Sequence, residues 1–120
     1  AVRIITKSKY RTPSSPLFKK VNILKLPDIY TFQVLQFAYR YKNNLLPVCC
    51  SNILLLNTPS CYSFRSSSYF VSPSHRTCLR RNSVKIQGPK VWDSLPSFIQ
   101  NSTSLSTFKI NVKKFFIGNY

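Results

Sequence analysis

Residues 26–47 read LPDIYTFQVLQFAYRYKNNLLP, and their spacing decides the class of fold. Tyr30, Val34, Phe37, Ala38 and Tyr41 recur at steps of four, three, one and three, which makes one stripe along an α-helix. Pro27 suits the first helical turn, where its missing N–H is no loss, and Asp28 beside it complements the helix dipole. Asn43 and Asn44, ahead of Leu45, Leu46 and Pro47, predict the stop. A striped helix of this length needs other elements to cover it, and the flanking sequence supplies candidates.

Upstream, AVRIITKSKYRTPSSP (1–16) opens with an apolar-basic stretch that reads as the tail of a helix over 1–12. Pro13 and Pro16 bracket two serines, a turn or helix-start signal, and SPLFKKVNIL (15–24) follows as a short helix with Leu17 and Phe18 inward. Downstream, CCSNILLL (49–56) is a candidate short helix. From Thr58 to Thr77 the chain turns Ser-rich, and Tyr62, Phe64, Tyr69 and Val71 alternate with small polar residues, as in extended chain. RRNSVKIQG (80–88) continues that pattern, with Val84 and Ile86 on one face and Ser83, Lys85 and Gln87 on the other. These two runs predict a hairpin. The last element, SLSTFKINVKKFFIGNY (104–120), carries an apolar stripe of Leu105, Phe108, Val112, Phe115 and Phe116, with Lys109, Lys113 and Lys114 off it. Ser or Thr in NSTS (101–104) caps its start and Gly118 closes its end.

The expectation is a mainly α chain with a small β-hairpin, an α+β arrangement in one region spanning 1–120. Residues 14–56 form its helical part, 60–88 its extended part, and 89–120 a corner and the C-terminal helix. The corner lies within VKIQGPKVWDSLPSFIQ (84–100), which holds the only Trp, one of two Gly and one of two acidic residues. Gly88 is read as a backbone conformation that a side chain would oppose, and Pro89 as the start of a short helix. Trp92 would lie across the junction of strand and C-terminal helix, Asp93 would tie a backbone donor, and Leu95 with Pro96 would end the turn. Such a corner holds the basic strands at a fixed angle. The sharper alternative is that Trp92 stacks on a nucleobase.

Charge is the outlier. Of 120 residues, 43% are apolar and 14% aromatic, a folding composition, but 18 Lys and Arg stand against two acids, a net of +16. Self-repulsion on that scale is relieved by a polyanionic partner, nucleic acid first and anionic membrane second. No stretch approaches the roughly 20 apolar residues that span a bilayer. Arg3, Lys7, Lys9 and Arg11 interrupt any signal-peptide pattern, and the start at Ala1 reads as part of something larger. Without an export signal, Cys49, Cys50, Cys61 and Cys78 are expected as free thiols in an intracellular protein, cytoplasmic and nuclear.

Catalysis fails by elimination. Two-metal phosphoryl chemistry needs clustered carboxylates, and Asp28 and Asp93 are 65 positions apart, each read as a helix-start residue. His75 is alone, and no Gly-rich phosphate loop is present. Cys49, Cys50, Cys61, His75 and Cys78 lack the paired spacing of a zinc site, so no metal or other cofactor is expected in this chain. Nucleic-acid binding fits best. Arg65, Arg76, Arg80, Arg81, Lys85 and Lys90 surround Tyr62, Phe64, Tyr69 and Phe70, and Lys109 and Lys113 add cations from the C-terminal helix. The competing reading assigns the aromatics to the core and the charges to a solvated face.

The order of several motifs resembles the C-terminal segment of the reverse transcriptase polyprotein of LINE-type (non-LTR, jockey-like) retrotransposons. RIIT with PLF, ILKLPDIY and above all GPKVWDSLP carry the resemblance, which extends over nearly the whole chain. It implies a region downstream of palm, fingers and thumb, in a protein that copies RNA into DNA with Mg²⁺ held by palm carboxylates. None of those catalytic positions falls in these residues. The implied partners are template RNA or target DNA and the upstream polymerase domains, with no membrane. Some lineages carry a Cys/His knuckle in this region, which the spacing here does not match. A structural domain packing against the polymerase thumb is the alternative, and a free-standing cationic membrane-active protein a weaker third.

Overall fold

The structure is a computed structural model that describes residues 2–57 and 68–120. Among the described residues it is mainly helical with one two-stranded antiparallel sheet. The elements in chain order are α1 (Val2–Ile5), α2 (Ser14–Val21), α3 (Leu26–Lys42), a 3₁₀ turn (Val48–Cys50), β1 (Leu55–Leu56), β2 (Phe70–Val71), α4 (Cys78–Arg81), α5 (Val84–Asp93), α6 (Ser97–Gln100) and α7 (Leu105–Gly118).

α3 is the axis of the molecule, and both α5 and α7 pack on it. Pro27 and Asp28 fall in its first turn, as the sequence predicts. Its end is built by two asparagines. Asn43 Nδ2 donates to the Tyr39 carbonyl (2.9 Å), and Asn44 turns left-handed (φ 54°) so that Leu45 N–H returns to the Arg40 carbonyl (2.9 Å). The buried surface is wider than one stripe. Leu35 and Tyr39, which the stripe omits, are 0% and 2% exposed, whereas Tyr30 is 49% exposed. A helix covered by two neighbours buries more than the arc one stripe describes.

The core consists of Leu35, Ala38 and Tyr39 from α3, Leu54, Phe70, Trp92, Leu95, Ile99, and Phe108 with Val112 from α7. Tyr39 stacks on Phe108 (centroids 4.4 Å), Phe108 lies on Trp92 (6.0 Å), and Phe70 meets Trp92 edge-on (5.8 Å). Trp92 thus does lie between a strand and the C-terminal helix. The strand is β2, however, and the indole is 0% exposed, so it is closed to a nucleobase. Among the described residues its N–H has no hydrogen-bond partner, which costs about 1–3 kcal/mol and is tolerated by the surrounding aromatic packing.

The hairpin differs from the expected one. β1 pairs β2 in the register Leu55 to Val71 and Leu56 to Phe70, and Asn57 N–H extends it to the Tyr69 carbonyl (3.0 Å). CCSNILLL therefore supplies a 3₁₀ turn and a strand instead of a helix. In β2 the inward residue is Phe70, with Tyr69 and Val71 each 40% exposed, the reverse of the predicted phase. The segment expected as the second strand is α5. Ile86, Pro89 and Trp92 are buried at steps of three, a helical spacing that outweighs the brief alternation before Gly88.

The corner is corrected accordingly. Pro89 stands inside α5, not at its start, and no glycine has a positive φ, so Gly88 is not needed for backbone freedom. It is needed for space, since a Cβ there would lie 3.1 Å from Leu54 Cδ2. Asp93 is exposed at the C-terminal end of α5, where a carboxylate opposes the dipole. Leu95 is buried and Pro96 caps α6. The brace that sequence reading missed is Gln100, whose Nε2 donates to the Trp92 (2.9 Å) and Leu95 (3.0 Å) carbonyls and ties α6 to the end of α5. Ser104 caps α7 by accepting from Thr107 N–H (3.2 Å), as expected from NSTS. Gly118 is the last helical residue, and Asn119 forms the C-cap with an ordinary negative φ.

Candidate nucleic-acid interface

Several cations are absorbed by the fold. Lys42 Nζ donates to the Gln100 carbonyl (3.2 Å) and sits 5.3 Å from the Tyr69 ring and 5.5 Å from the Trp92 ring. Lys25 Nζ donates to Ser15 Oγ (3.1 Å) and covers the Tyr120 ring at 4.2 Å. Arg3 Nε donates to the Thr12 carbonyl (3.0 Å). These side chains hold structure together.

The basic residues between β2 and the end of α5 stand differently. Arg76, Arg80, Arg81 and Lys90 are exposed and Lys85 is half-buried. Local hydrogen bonds fix the short helix that carries the arginine pair. Thr77 Oγ1 accepts from Arg80 N–H (3.3 Å) at its start. At its end, Ser83 Oγ donates to the Arg80 carbonyl (2.7 Å) and Gln87 Nε2 to the Arg81 carbonyl (3.0 Å). Tyr30 then donates its hydroxyl to the Asn82 carbonyl (2.9 Å), anchoring the α4–α5 junction to α3. Two guanidinium groups are thereby presented from a braced backbone, with the lysines of α5 following directly. Helical presentation replaces the strand presentation expected from the sequence.

Lys109 and Lys113 sit four residues apart on α7, both half-buried, so they neighbour one another on the helix surface. They belong to a different helix from the α4–α5 cations. Arg65, Tyr62, Phe64 and Cys61 lie outside the described residues. Of the remaining aromatics in that set, Phe70 is core and Tyr69 partly exposed, so the core reading holds for Phe70.

Beside the α4–α5 junction, Tyr30, Gln33, Val34, Phe37, Ile53 and Val84 line an open groove of about 300 Å³. Sequence reading placed Tyr30, Val34 and Phe37 on the helix stripe without foreseeing that a gap would remain above them. Cys49, Cys50 and Cys78 are free thiols, with Cys49 and Cys50 Sγ 3.9 Å apart. The hydrogen bond it shares with Cys49, to which the protonated Cys50 thiol donates, followed by burial, pushes Cys50 above its ordinary value, which disfavours the reactive thiolate. Among the described residues, no three His, Cys, Asp or Glu side chains gather as a metal site, and no helix is long and apolar enough to cross a membrane.

The chain matches no family model, no curated protein and no solved structure.

Proposed function

We propose that this chain is a non-catalytic nucleic-acid-binding module, the C-terminal region of a LINE-type retrotransposon RNA-directed DNA polymerase, which helps engage template RNA or target DNA. The observation that carries the reading is the charge imbalance. Two carboxylates cannot neutralise 18 cations, and Asp28 is already occupied by the Tyr120 hydroxyl (2.5 Å). Arg76, Arg80 and Arg81 are exposed, and the 18 cations far outnumber the carboxylates of the sequence, an excess that a run of phosphates would neutralise. The ordered motifs RIIT, ILKLPDIY and GPKVWDSLP support the polymerase context. In that context the Mg²⁺ and its carboxylates belong to the upstream palm, and the chain works inside the cell, in cytoplasm and nucleus.

The test is equilibrium binding to an RNA hairpin and to a nicked duplex across a salt series. Affinity that falls steeply as salt rises supports the proposal, and affinity indifferent to ionic strength contradicts it.

A second reading has its own observation. Ile4, Leu26, Val48, Leu79 and Phe98 are 82%, 82%, 88%, 90% and 69% exposed, an unusual amount of apolar surface. The radius of gyration, 17.2 Å, also exceeds the roughly 14 Å of a compact chain of this length. Both fit a structural domain that packs against the polymerase thumb without touching nucleic acid. A cooperative thermal melt of the isolated chain argues against that reading.

A further inference from the structure

We infer that the groove between α3 and the α4–α5 junction is a pocket for one unpaired nucleobase, whose flanking phosphates rest on Arg80, Arg81 and Lys85. The inference rests on the nucleic-acid reading and makes it specific, because it assigns single strands or loops in preference to perfect duplex.

Tyr30 and Phe37 are aromatic, Val34, Ile53 and Val84 aliphatic, and no carboxylate lines the groove. Its volume of about 300 Å³ lies at the small end of ligand sites, sized for a planar heterocycle and not for a docking helix. Water held there gains little, whereas an aromatic face laid on Tyr30 gains stacking energy. Gln33 is the single lining residue with a side-chain amide, yet the groove surface is wholly apolar, so a base would be held there by its face and not read at its edge.

Charge selects this occupant over an apolar side chain from a protein. Val84 lines the groove, and Lys85 follows it in the chain. The Tyr30 hydroxyl holds the Asn82 carbonyl at 2.9 Å, so the backbone that follows Arg81 is tied to a residue of the same wall. Arg80 and Arg81 are exposed on a capped turn. An apolar cleft whose wall is followed in the chain by basic residues fits a ligand that is flat and uncharged at its centre and anionic on either side. A nucleotide within a strand has that pattern. Because Tyr30 is already oriented by its hydrogen bond, little order needs to be created on binding.

The experiment measures affinity of the full chain for a short single-stranded RNA, for a strand of the same length and phosphate count with abasic residues, and for a blunt duplex, all at one salt concentration. The base-bearing strand is expected to bind about tenfold more tightly than the abasic one. Val84→Phe, which fills the groove, is expected to remove that difference while leaving the phosphate-driven affinity. Equal binding of base-bearing and abasic strands overturns the pocket and leaves the general nucleic-acid reading standing. It would return the groove to an apolar side chain of a neighbouring protein. Binding of none of the three ligands overturns both. The abasic comparison needs no variant, so it stands even if Val84→Phe folds poorly.

Discussion

A methyl group at Gly88 would stand 3.1 Å from Leu54 Cδ2, and Leu54 is 1% exposed with little room to retreat. Gly88→Ala should gain about 1 kcal/mol from helix propensity and lose a comparable amount to that contact. In a Leu54→Ala background the same change should be stabilising, and a double-mutant cycle by chemical denaturation measures the difference. Trp92→Ala should cost about 3–5 kcal/mol, because the indole joins Phe70 to Phe108; Trp92→Phe should cost less, since it keeps a ring and removes an unpaired donor. Tyr120 gives a pH effect. Burial, followed by its hydrogen bond to Asp28, raises its hydroxyl above the ordinary value near 10. The fold thus favours the protonated phenol, so this stabilisation is complete below pH 10 and declines as pH rises through the folded pKa. Unfolding curves of the wild type should weaken more on the alkaline side than those of Tyr120→Phe.

Among the elements, α7 rests on a cap and on a stripe, and the two are separable. Ser104→Ala should cost about 1 kcal/mol without altering the core, which thermal unfolding would register. Both features were legible in the sequence because they are local: a Ser ahead of a helical run, and apolar residues at helical steps. The course of α3 was legible for the same reason, down to its two asparagines. α5 was not. Five residues of alternation before Gly88 satisfy a strand template, and Pro89 argues against a helix interior by about 3 kcal/mol of propensity. Burial of Ile86, Pro89 and Trp92 overrides that cost, and only the tertiary structure contains the surface that buries them. Lys42 and Gln100 were illegible for a similar reason, since their partners lie 58 and eight residues away. The cationic segment from Arg76 to Lys90 was visible as charge, but its helical geometry came with α5.

For the whole molecule, the account assigns different work to different lysines and arginines. Lys25 and Lys42 are held by the fold, while Arg76, Arg80, Arg81 and Lys90 are exposed and Lys85 is half-buried beside them in the chain. An evenly distributed charge would make every basic residue equivalent in binding. A localised face would not. The most direct measurement is the salt dependence of RNA-hairpin affinity for two variants, Arg80→Gln/Arg81→Gln/Lys85→Gln and Lys19→Gln/Lys20→Gln. The account predicts that the first lowers the magnitude of the log–log salt slope by about 2, the loss of three phosphate contacts, and that the second leaves it nearly unchanged. Equal slopes for the two variants and the wild type would contradict it.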